Sequence, residues 1–456
     1  MAAFARKCLL LAFVLLAARP GAAKAASAKG PLKVCEKNPR YFTDGSGKAI
    51  YLTGSHTWSN LVDIGRGDPP PRFDFTAYLD WMQRLNHNFI RLFRWELVTW
   101  SIHSVAPHPW ARTGPGKVLD GKPRFDLKKF NQAYFDRLRS RVIAARDRGI
   151  YVSVMLFEGW GVQFAPRGWE SHPFHRDNNI NAIDGDLNGD GKGLEIYTLD
   201  EPAITALQKA YVRNVIDTVN DLDNVLYEIS SEAHWQSTEW QYHMINFIRN
   251  YEKGKPKQHV VGMTWQYRGG KNSTLFESPA DWVSPNPKGG YKNNPPVADG
   301  RKVVINDTDH LWGIGGKQAW VWKSFLRGHN PIFMDPYKGV VLGKRFDPKF
   351  DPIRRSMGYA LKYANRMNLV DMIPRNDLAS SKYCLANPGS EYLVYLPFWR
   401  SVTVDLSAAS GPLSVEWFNP TKGATIKGKK TIGGGKRKFT APFTGGAVLY
   451  IFRAER

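Results

Sequence analysis

Asn224-Val-Leu-Tyr-Glu-Ile-Ser-Ser-Glu232-Ala-His-Trp235 is the stretch that decides the fold. It is an apolar, β-branched run of strand length that ends in the carboxylate of Glu232 beside aromatic residues. A second run, Val303-Val-Ile-Asn-Asp307-Thr-Asp309-His-Leu-Trp312, has the same form. Buried strands that deliver acids to their C-terminal ends are typical of (β/α)8 barrels, whose active sites lie at that end. The two runs therefore predict a parallel barrel with carboxylates at its mouth.

Strand-like and helix-like segments alternate along most of the chain. Eight short apolar runs predict strands over 50–58, 89–95, 151–157, 225–230, 260–265, 282–284, 303–306 and 331–334. Apolar residues at three- and four-residue spacing predict helices over 75–85, 130–148, 203–222, 239–251 and 318–327, and a last helix over 353–369. Alternation of this kind indicates a parallel sheet, and eight units indicate closure into a TIM barrel.

The pattern changes after Pro374. Short alternating runs over 392–396, 402–406, 413–418, 438–443 and 447–452 are separated by Gly, Pro, Asn and Ser. This spacing predicts a small antiparallel β-sandwich. We therefore expect a (β/α)8 barrel over residues 31–373 and a C-terminal β-sandwich domain over 374–456.

The first residues predict a signal peptide. Arg6 and Lys7 form a basic n-region, residues 8–18 form an apolar region too short to span a bilayer, and Ala23-Lys-Ala25 fits a cleavage site. We place the signal peptide at residues 1–25 and expect a secreted or periplasmic protein. No later stretch approaches 18 uninterrupted apolar residues, so no membrane span is expected.

The chain is strongly basic. Its formal charge is +22, and it falls to +18 when Arg6, Lys7, Arg19 and Lys24 leave with the signal peptide. Such a surplus indicates either an anionic partner such as an acidic polysaccharide, or a solvated basic surface. No zinc-knuckle, helix-turn-helix or RNA-binding signature is present, so we expect no nucleic-acid partner.

Two cysteines, Cys35 and Cys384, follow the predicted signal peptide. In an exported protein they are expected either to form one disulfide between the N-terminal region and the second domain, or to remain two buried free thiols.

Glu232 is the first candidate catalytic residue. Strand alternation places Glu228, Ser230 and Glu232 on one side, with Glu232 at the mouth of the barrel. A carboxyl group in a partly dry aromatic pocket has a raised pKa, which suits a general acid. The other interpretation is a salt-bridged acid at a strand end.

Asp307 and Asp309 share one side of the seventh strand and are the candidate partners of Glu232. Hydrolysis of a glycosidic bond uses two carboxylates that flank that bond. One aspartate is expected to be catalytic and the other to orient groups or bind sugar. We favour Asp309, which lies nearer the opening, and keep Asp307 as the alternative.

Polar and aromatic residues follow the ends of successive predicted strands, and their concentration at one end of the barrel predicts a sugar-binding site. The predicted substrate-binding residues are His56, Trp58, Arg94, Glu96, Glu158, Trp160, His234, Trp235, Trp265, His310, Trp312 and Asp335.

A calcium-loop pattern lies between the third strand and its helix. The stretch 184–195 matches D-x-[DN]-x-[DN]-G-x5-E at every defined position. The expected Ca²⁺ ligands, which suit a hard cation, are Asp184, Asp186, Asn188, Asp190 and Glu195. A structural calcium ion is predicted, and a metal-free turn is the alternative. No organic cofactor is expected, because the chain has no dinucleotide fingerprint and no P-loop.

The stretch 225–232 resembles the fourth-strand motif of the clan-A glycoside hydrolases, which ends in Asn-Glu with the glutamate as acid/base. Here Ser231 stands where that motif has asparagine, and the seventh strand offers aspartate where the clan has a glutamate nucleophile. Tyr41-Phe-Thr-Asp-Gly45 and 51–58 also resemble barrel hydrolase families of poorly defined specificity. Their C-terminal module is named for collagen binding, and 416–420, 433–434 and 439–443 are similar to it.

These observations together predict an exported glycoside hydrolase that acts on a poly- or oligosaccharide through a Glu/Asp carboxylate pair. The alternative is a non-catalytic glycan- or matrix-binding protein that keeps the barrel as a scaffold, because a fold alone does not establish chemistry.

Overall fold

A computed structural model describes residues 26–337 and 344–453. The predicted signal peptide, residues 1–25, lies outside the described residues. No helix in the described part of the chain is long and apolar enough to cross a membrane.

The predicted (β/α)8 barrel is confirmed. Eight parallel strands form one sheet in the order β1-β8-β7-β6-β5-β4-β3-β2. They are β1 (Gly54–His56), β2 (Phe89–Leu92), β3 (Tyr151–Glu158), β4 (Val225–Ser231), β5 (Val261–Thr264), β6 (Trp282–Ser284), β7 (Val303–Asp307) and β8 (Asn330–Met334). All residues of these strands are buried, and many of them are β-branched or aromatic, as expected of a parallel sheet covered on both faces.

The barrel closes where β1 meets β2. The backbone amide of Asn88 donates to the carbonyl oxygen of Thr53 at 3.0 Å, and its side chain donates to Tyr51 O at 2.8 Å. Glycine is required at position 54, since a Cβ there would lie 2.1 Å from the carbonyl oxygen of Phe89. This close approach brings the ends of the first and second strands to one mouth.

The longer helices cover the outside of the barrel, and two short helices follow strand ends at its mouth. They are α1 (Phe75–Arg84), α2 (Gln132–Arg146), α3 (Gly159–Phe164), α4 (Pro202–Val219), α5 (Thr238–Glu252), α6 (Asn272–Glu277), α7 (Thr308–Leu311), α8 (Gln318–Leu326) and α9 (Asp351–Arg366). Asp74 caps α1 by accepting from the Ala77 amide at 2.9 Å. The second helix begins at Gln132 and not at residue 130, because Pro123–Phe130 pairs with Trp110–Lys117 in a hairpin.

The N-terminal segment covers the bottom of the barrel. A short hairpin of Lys33–Val34 and Phe42–Thr43 follows residues that pack beneath the strand starts. Ala28 and Leu32 are buried there, and Tyr151 donates its hydroxyl to Lys29 O at 2.7 Å. The opposite end is left for the loops that carry the candidate site.

The C-terminal domain is antiparallel. Its strands are β9 (Ile373–Pro374), β10 (Cys384–Asn387), β11 (Glu391–Leu396), β12 (Ser401–Asp405), β13 (Pro412–Asn419), β14 (Ala424–Lys427), β15 (Thr431–Ile432), β16 (Lys436–Thr440) and β17 (Ala447–Phe452). The larger sheet runs β9-β10-β11-β17-β13-β14, and β12 pairs with β16 in a second sheet. Cys35 and Cys384 are buried free thiols, which is the second of the two alternatives that the sequence left open.

The two domains share a packed interface. Phe418 of β13 lies against Tyr359 and Tyr363 of α9, with ring centroids 4.9 and 5.6 Å apart. Glu416 accepts from the Tyr363 hydroxyl at 2.8 Å and pairs with Arg366 at 2.8 Å. The second domain is therefore packed on the barrel through a partly apolar contact.

Candidate active site

A cavity of about 330 Å³ opens among the loops that follow the barrel strands. Eight residues that the sequence singled out line it: Trp58, Glu158, Trp160, Glu232, Trp265, Asp309, His310 and Trp312. Cavities of this size with few polar groups among aromatic side chains are typical small-molecule or sugar sites.

Glu232 follows the last residue of β4 and has a left-handed backbone conformation, with φ of 50°. This turn takes the chain out of the strand, which lets the adjacent Ser231 and Glu232 both line the cavity. The Glu232 side chain forms no hydrogen bond within residues 26–337 and 344–453. Burial raises the pKa of Glu232 well above its ordinary value, and the nearby Asp309 and Glu158 carboxyls raise this pKa further.

Asp309 lies in the short helix α7, directly after β7, and also lines the cavity. Its closest cation is Arg91, with 3.3 Å between Nη1 and Oδ2. Burial and the negative charge of Asp307 raise the pKa of Asp309 to about 6. Asp309 and Glu232 therefore resist simultaneous ionisation.

Asp307 lies one layer deeper and does not line the cavity. Its carboxylate pairs with Arg91 Nη1 at 2.6 Å and His56 Nε2 at 2.9 Å, and it accepts from the Asp309 amide at 2.9 Å. Burial alone would raise the pKa of Asp307, but His56 and Arg91 hold this pKa below its ordinary value. Asp307 thus fixes the start of α7 and the position of Asp309.

Arg91 is the central cation beneath the cavity. It makes a two-point contact with Glu228 of β4, with distances of 2.8 and 2.5 Å, and donates to Ser231 Oγ at 3.1 Å. Bidentate pairs of this kind fix geometry as well as charge. Arg91 therefore joins the ends of β2, β4 and β7.

His56, Asp307 and Asp309 offer possible metal-ligand atoms within 4.8 Å of one another. The Arg91 guanidinium already contacts both carboxylates. A second cation in the same space would be repelled, so this cluster fits an ion-pair network better than a metal site.

Arg94 and Glu96 lie in a buried layer beside the cavity and do not line it. Arg94 donates to Leu156 O, and its guanidinium lies 4.1 Å from the ring centroid of Tyr211. Glu96 accepts from the Glu158 amide at 2.8 Å and contacts His172 Nε2 at 3.1 Å. Both side chains therefore orient the end of the third strand, and neither faces the cavity.

Glu158 is the third carboxyl group of the cavity. It caps α3 by accepting from the Gly161 amide at 2.9 Å. Burial raises the pKa of Glu158 well above its ordinary value, and the Glu96 charge adds to this increase.

Tryptophans form one wall of the cavity. The ring centroids of Trp58 and Trp95 are 5.0 Å apart, and those of Trp58 and Trp160 are 5.9 Å apart. The indole N–H groups of Trp58, Trp95 and Trp265 have no hydrogen-bond partner among the residues of known placement. Buried donors are normally satisfied, so these three unpartnered groups are exceptions within the packed wall.

His310 supplies a further polar atom. Its Nδ1 lies 2.8 Å from Ser284 Oγ, and its Nε2 has no partner in the described part of the chain. Burial lowers the pKa of His310 to about 3, so the ring is neutral at pH 7.

Three further predicted residues lie away from the cavity. His234 is buried with Nε2 2.9 Å from Leu194 O, whereas Trp235 is 56% exposed. Asp335 forms a buried two-point pair with Arg354 of α9, at 2.7 and 2.8 Å. His234 and Asp335 therefore stabilise neighbouring segments of the chain.

Sequence reasoning missed several lining residues, among them Phe93, Trp95, Tyr267 and Lys292. Lys292 lies in the β6–β7 connection, where no strand end marks it, and its Nζ lies 5.6 Å from the ring centroid of Trp312. It forms no ion pair with any residue whose position is described.

The loop 184–195 has the turn that its sequence pattern requires. Gly189, at loop position six, has φ of 70°. Asp186 accepts from the amides of Asp190 and Gly191 at 3.1 and 2.9 Å. Asn188 donates to Glu195, whose Oε2 is buried without a partner in the described residues, and Asp190 pairs with Lys192 at 2.7 Å. The residue types suit Ca²⁺, but the loop carboxylates do not form a cluster of three or more ligand groups in the described part of the chain, and Lys192 is a competing cation.

Solved structures share the architecture over nearly the whole chain. A "Glycoside hydrolase" matches with a TM-score of 0.62 and 15% identity, covering 94% of this chain and 98% of the other. A glycoside hydrolase family 5 protein from Bacteroides vulgatus matches with a TM-score of 0.64 and 15% identity, covering 94% and 93%. The fold is that of these glycoside hydrolases. At 15% identity, the structural similarity establishes the fold and does not establish the activity.

Two family models match parts of the chain. Residues 75–267 match a family described as "Domain of unknown function (DUF6298)". Residues 370–448 match the "Putative collagen-binding domain of a collagenase", which agrees with the resemblance in the C-terminal sequence. No curated protein matches the chain.

Proposed function

We propose that this protein is a glycoside hydrolase in which Glu232 is the general acid and Asp309 is its carboxylate partner. The observation that carries the proposal is the placement of both groups in one aromatic cavity at the mouth of the barrel. Their mutual repulsion favours the state in which Glu232 is protonated and Asp309 is ionised near neutral pH. That state is the one that cleavage of a glycosidic bond requires.

The proposed reaction divides the work between the two carboxyl groups. Glu232 gives its proton to the departing glycosidic oxygen while the anomeric carbon gains positive charge. Asp309 either attacks that carbon to form a glycosyl-enzyme ester, which water activated by the Glu232 carboxylate then hydrolyses, or removes a proton from the water that attacks directly. Carboxyl groups about 5–5.5 Å apart give retention, and a separation of about 6.5–9.5 Å gives inversion. Asp307 and Arg91 act through Asp309 by fixing its position and its charge.

The proposed substrate is a poly- or oligosaccharide with acidic substituents. The tryptophan wall suits the apolar faces of sugar rings. Lys292 is a cation in the cavity wall without an ionic partner in residues 26–337 and 344–453. A carboxylate or sulfate group on the sugar would supply one.

The predicted leader over residues 1–25 supports a secreted or periplasmic location for this activity. We also propose that Asp184, Asp186, Asn188, Asp190 and Glu195 hold a structural Ca²⁺ beside the site. The support is the complete sequence pattern together with the left-handed turn at Gly189.

The proposal is tested by sugar release from a broad panel of neutral and acidic polysaccharides. Wild type is compared with Glu232→Gln and with the matched control Glu277→Gln, which changes an exposed glutamate on α6 in the same way. We expect wild-type and control proteins to release sugar and Glu232→Gln to lose about 10²- to 10⁴-fold in rate. A wild-type protein that binds a glycan tightly and releases no sugar from any member of the panel would instead be a non-catalytic glycan-binding protein.

A further inference from the structure

The C-terminal domain contains a basic groove that the proposed reaction does not use. It is an open cavity of about 420 Å³ beside β13, β14 and β16. Trp417, Phe439 and Pro442 are among the apolar residues that line it. Four lysines also line it: Lys427, Lys429, Lys430 and Lys438.

The positive charge of this groove has no internal counterpart. None of the four lysines forms an ion pair with another residue of the described ranges. The stretch from Trp417 to Arg453 contains no Asp or Glu. Its basic residues are Lys422, Lys427, Lys429, Lys430, Lys436, Arg437, Lys438 and Arg453.

Asp405 lies opposite Lys436 across β12 and β16, and other acidic residues of the domain contact groups away from the groove. Glu416 contacts Tyr363 and Arg366 of the barrel, and Asp377 pairs with Arg375 at 2.6 Å. The groove lysines repel one another, since charges within the Debye length of about 8–10 Å are only partly screened. A bound polyanion would relieve that repulsion.

Two exposed aromatic side chains lie near the groove. Phe398 and Trp399, in the β11–β12 loop, are 79% and 54% exposed. The backbone carbonyl oxygen of the next residue, Arg400, accepts a hydrogen bond from the Ala441 amide at 2.7 Å. Because Pro442 lines the groove, this contact brings the aromatic loop to its rim. Adjacent exposed aromatics are uncommon on a surface without a ligand and suit stacking on sugar rings.

We propose that this groove binds an anionic polysaccharide, through sulfate or carboxylate groups, and holds the polymer while the barrel acts on it. The choice of a glycan over other polyanions rests on the proposed hydrolase function. Lysines bind as point charges without a fixed geometry, which suits a polymer whose anionic groups repeat along a flexible chain. The groove thus extends substrate recognition beyond the catalytic cavity.

The test measures binding of the full-length chain to immobilised dextran sulfate and polygalacturonate, with neutral dextran as the uncharged reference. Each protein carries Glu232→Gln to slow consumption of the polymer. The groove variant is Lys429→Ala/Lys430→Ala/Lys438→Ala. The matched control is Lys29→Ala/Lys33→Ala/Lys48→Ala, which removes the same charge from exposed lysines near the opposite end of the barrel.

We expect the groove variant to bind at least one acidic polymer roughly tenfold more weakly than the control variant, with binding that weakens as salt rises. Equal affinities of the two variants for both acidic polymers overturn the proposal. Tighter lysine-dependent binding to duplex DNA or to collagen than to either acidic polysaccharide also overturns it. Sugar release by wild type is scored separately, so lysine-dependent glycan binding without sugar release overturns only the hydrolase proposal.

Discussion

Arg91 and Asp307 form a fully buried ion pair, with 2.6 Å between Nη1 and Oδ2. The pair connects β2 to β7 beneath the candidate cavity and leaves the neighbouring Asp309 facing the ligand space. This arrangement gives the two aspartates of the seventh strand different roles, which their sequence spacing left open.

Substitution of the two aspartates separates these roles. Asp307→Asn should lower the free energy of unfolding by about 3–5 kcal/mol, because it breaks a buried ion pair by removing one of the carboxylates that Arg91 contacts. Asp309→Asn should keep the fold and lower the rate of sugar release by at least about 10²-fold. Denaturant unfolding and turnover are measured for both. A folded, active Asp309→Asn protein would contradict the assignment.

The stability of the wild-type protein should respond to Asp309 in a defined direction. Its folded pKa of about 6 lies above the ordinary value of 3.8. The stability it contributes is therefore fully present below pH about 3.8 and is lost as the pH rises through about 6. Asp309→Asn should accordingly narrow the difference in Tm between pH 5 and pH 7, as measured by thermal unfolding. An unchanged difference would contradict the raised pKa.

The pH profile of kcat/KM should be bell-shaped. The acidic limb lies near pH 6, since protonation removes the carboxylate of Asp309, and the alkaline limb reports the raised pKa of Glu232. Glu158→Gln removes a negative charge that raises the Glu232 pKa, so it should move the alkaline limb to lower pH and leave the acidic limb nearly unchanged. A shift of the alkaline limb to higher pH would contradict this electrostatic account.

Calcium should stabilise the protein through the loop 184–195. Wild type should show a higher Tm with Ca²⁺ than with a chelator, because a ligand at about 100 times its Kd adds about 2.7 kcal/mol. Asp186→Asn should remove most of this difference, while Asp177→Asn, at an exposed site outside the loop, should keep it. Equal Tm values with calcium and chelator in wild type would exclude the site.

The packed interface predicts that the two domains unfold together. Phe418→Ala should cost about 3–5 kcal/mol, since the ring packs against Tyr359 and Tyr363. Phe398→Ala, at an exposed position, should change stability by less than about 0.5 kcal/mol. Calorimetry should show one transition for wild type. Two separate transitions would show that the domains are independent.

The sequence was sufficient to predict the barrel and the positions of Glu232 and Asp309 at strand ends. Parallel strands give near-continuous apolar runs, and the polar residue that ends each run marks the mouth. The bounds of several helices were also close to those observed, because amphipathic spacing and capping residues mark them locally.

The rest of the site depends on geometry that the alternation of side chains along a strand does not predict. The second strand ends at Leu92, and beyond it Phe93 and Trp95 line the cavity while Arg94 and Glu96 lie in the buried layer beside it. Asp335 closes β8 as expected, but the distant Arg354 engages it. Lys292 comes from a connection without a strand signal, so only the folded chain brings it to the cavity.

The most direct test of the central claim is the leaving-group dependence of Glu232→Gln. One substrate is a dinitrophenyl glycoside, whose dinitrophenolate leaving group departs without protonation. The other is a matched alkyl glycoside of the sugar that wild type releases. If Glu232 is the general acid, the variant should lose about 10²- to 10⁴-fold on the alkyl glycoside and far less on the dinitrophenyl glycoside. An equal loss on both substrates, or no loss on either, would contradict the account.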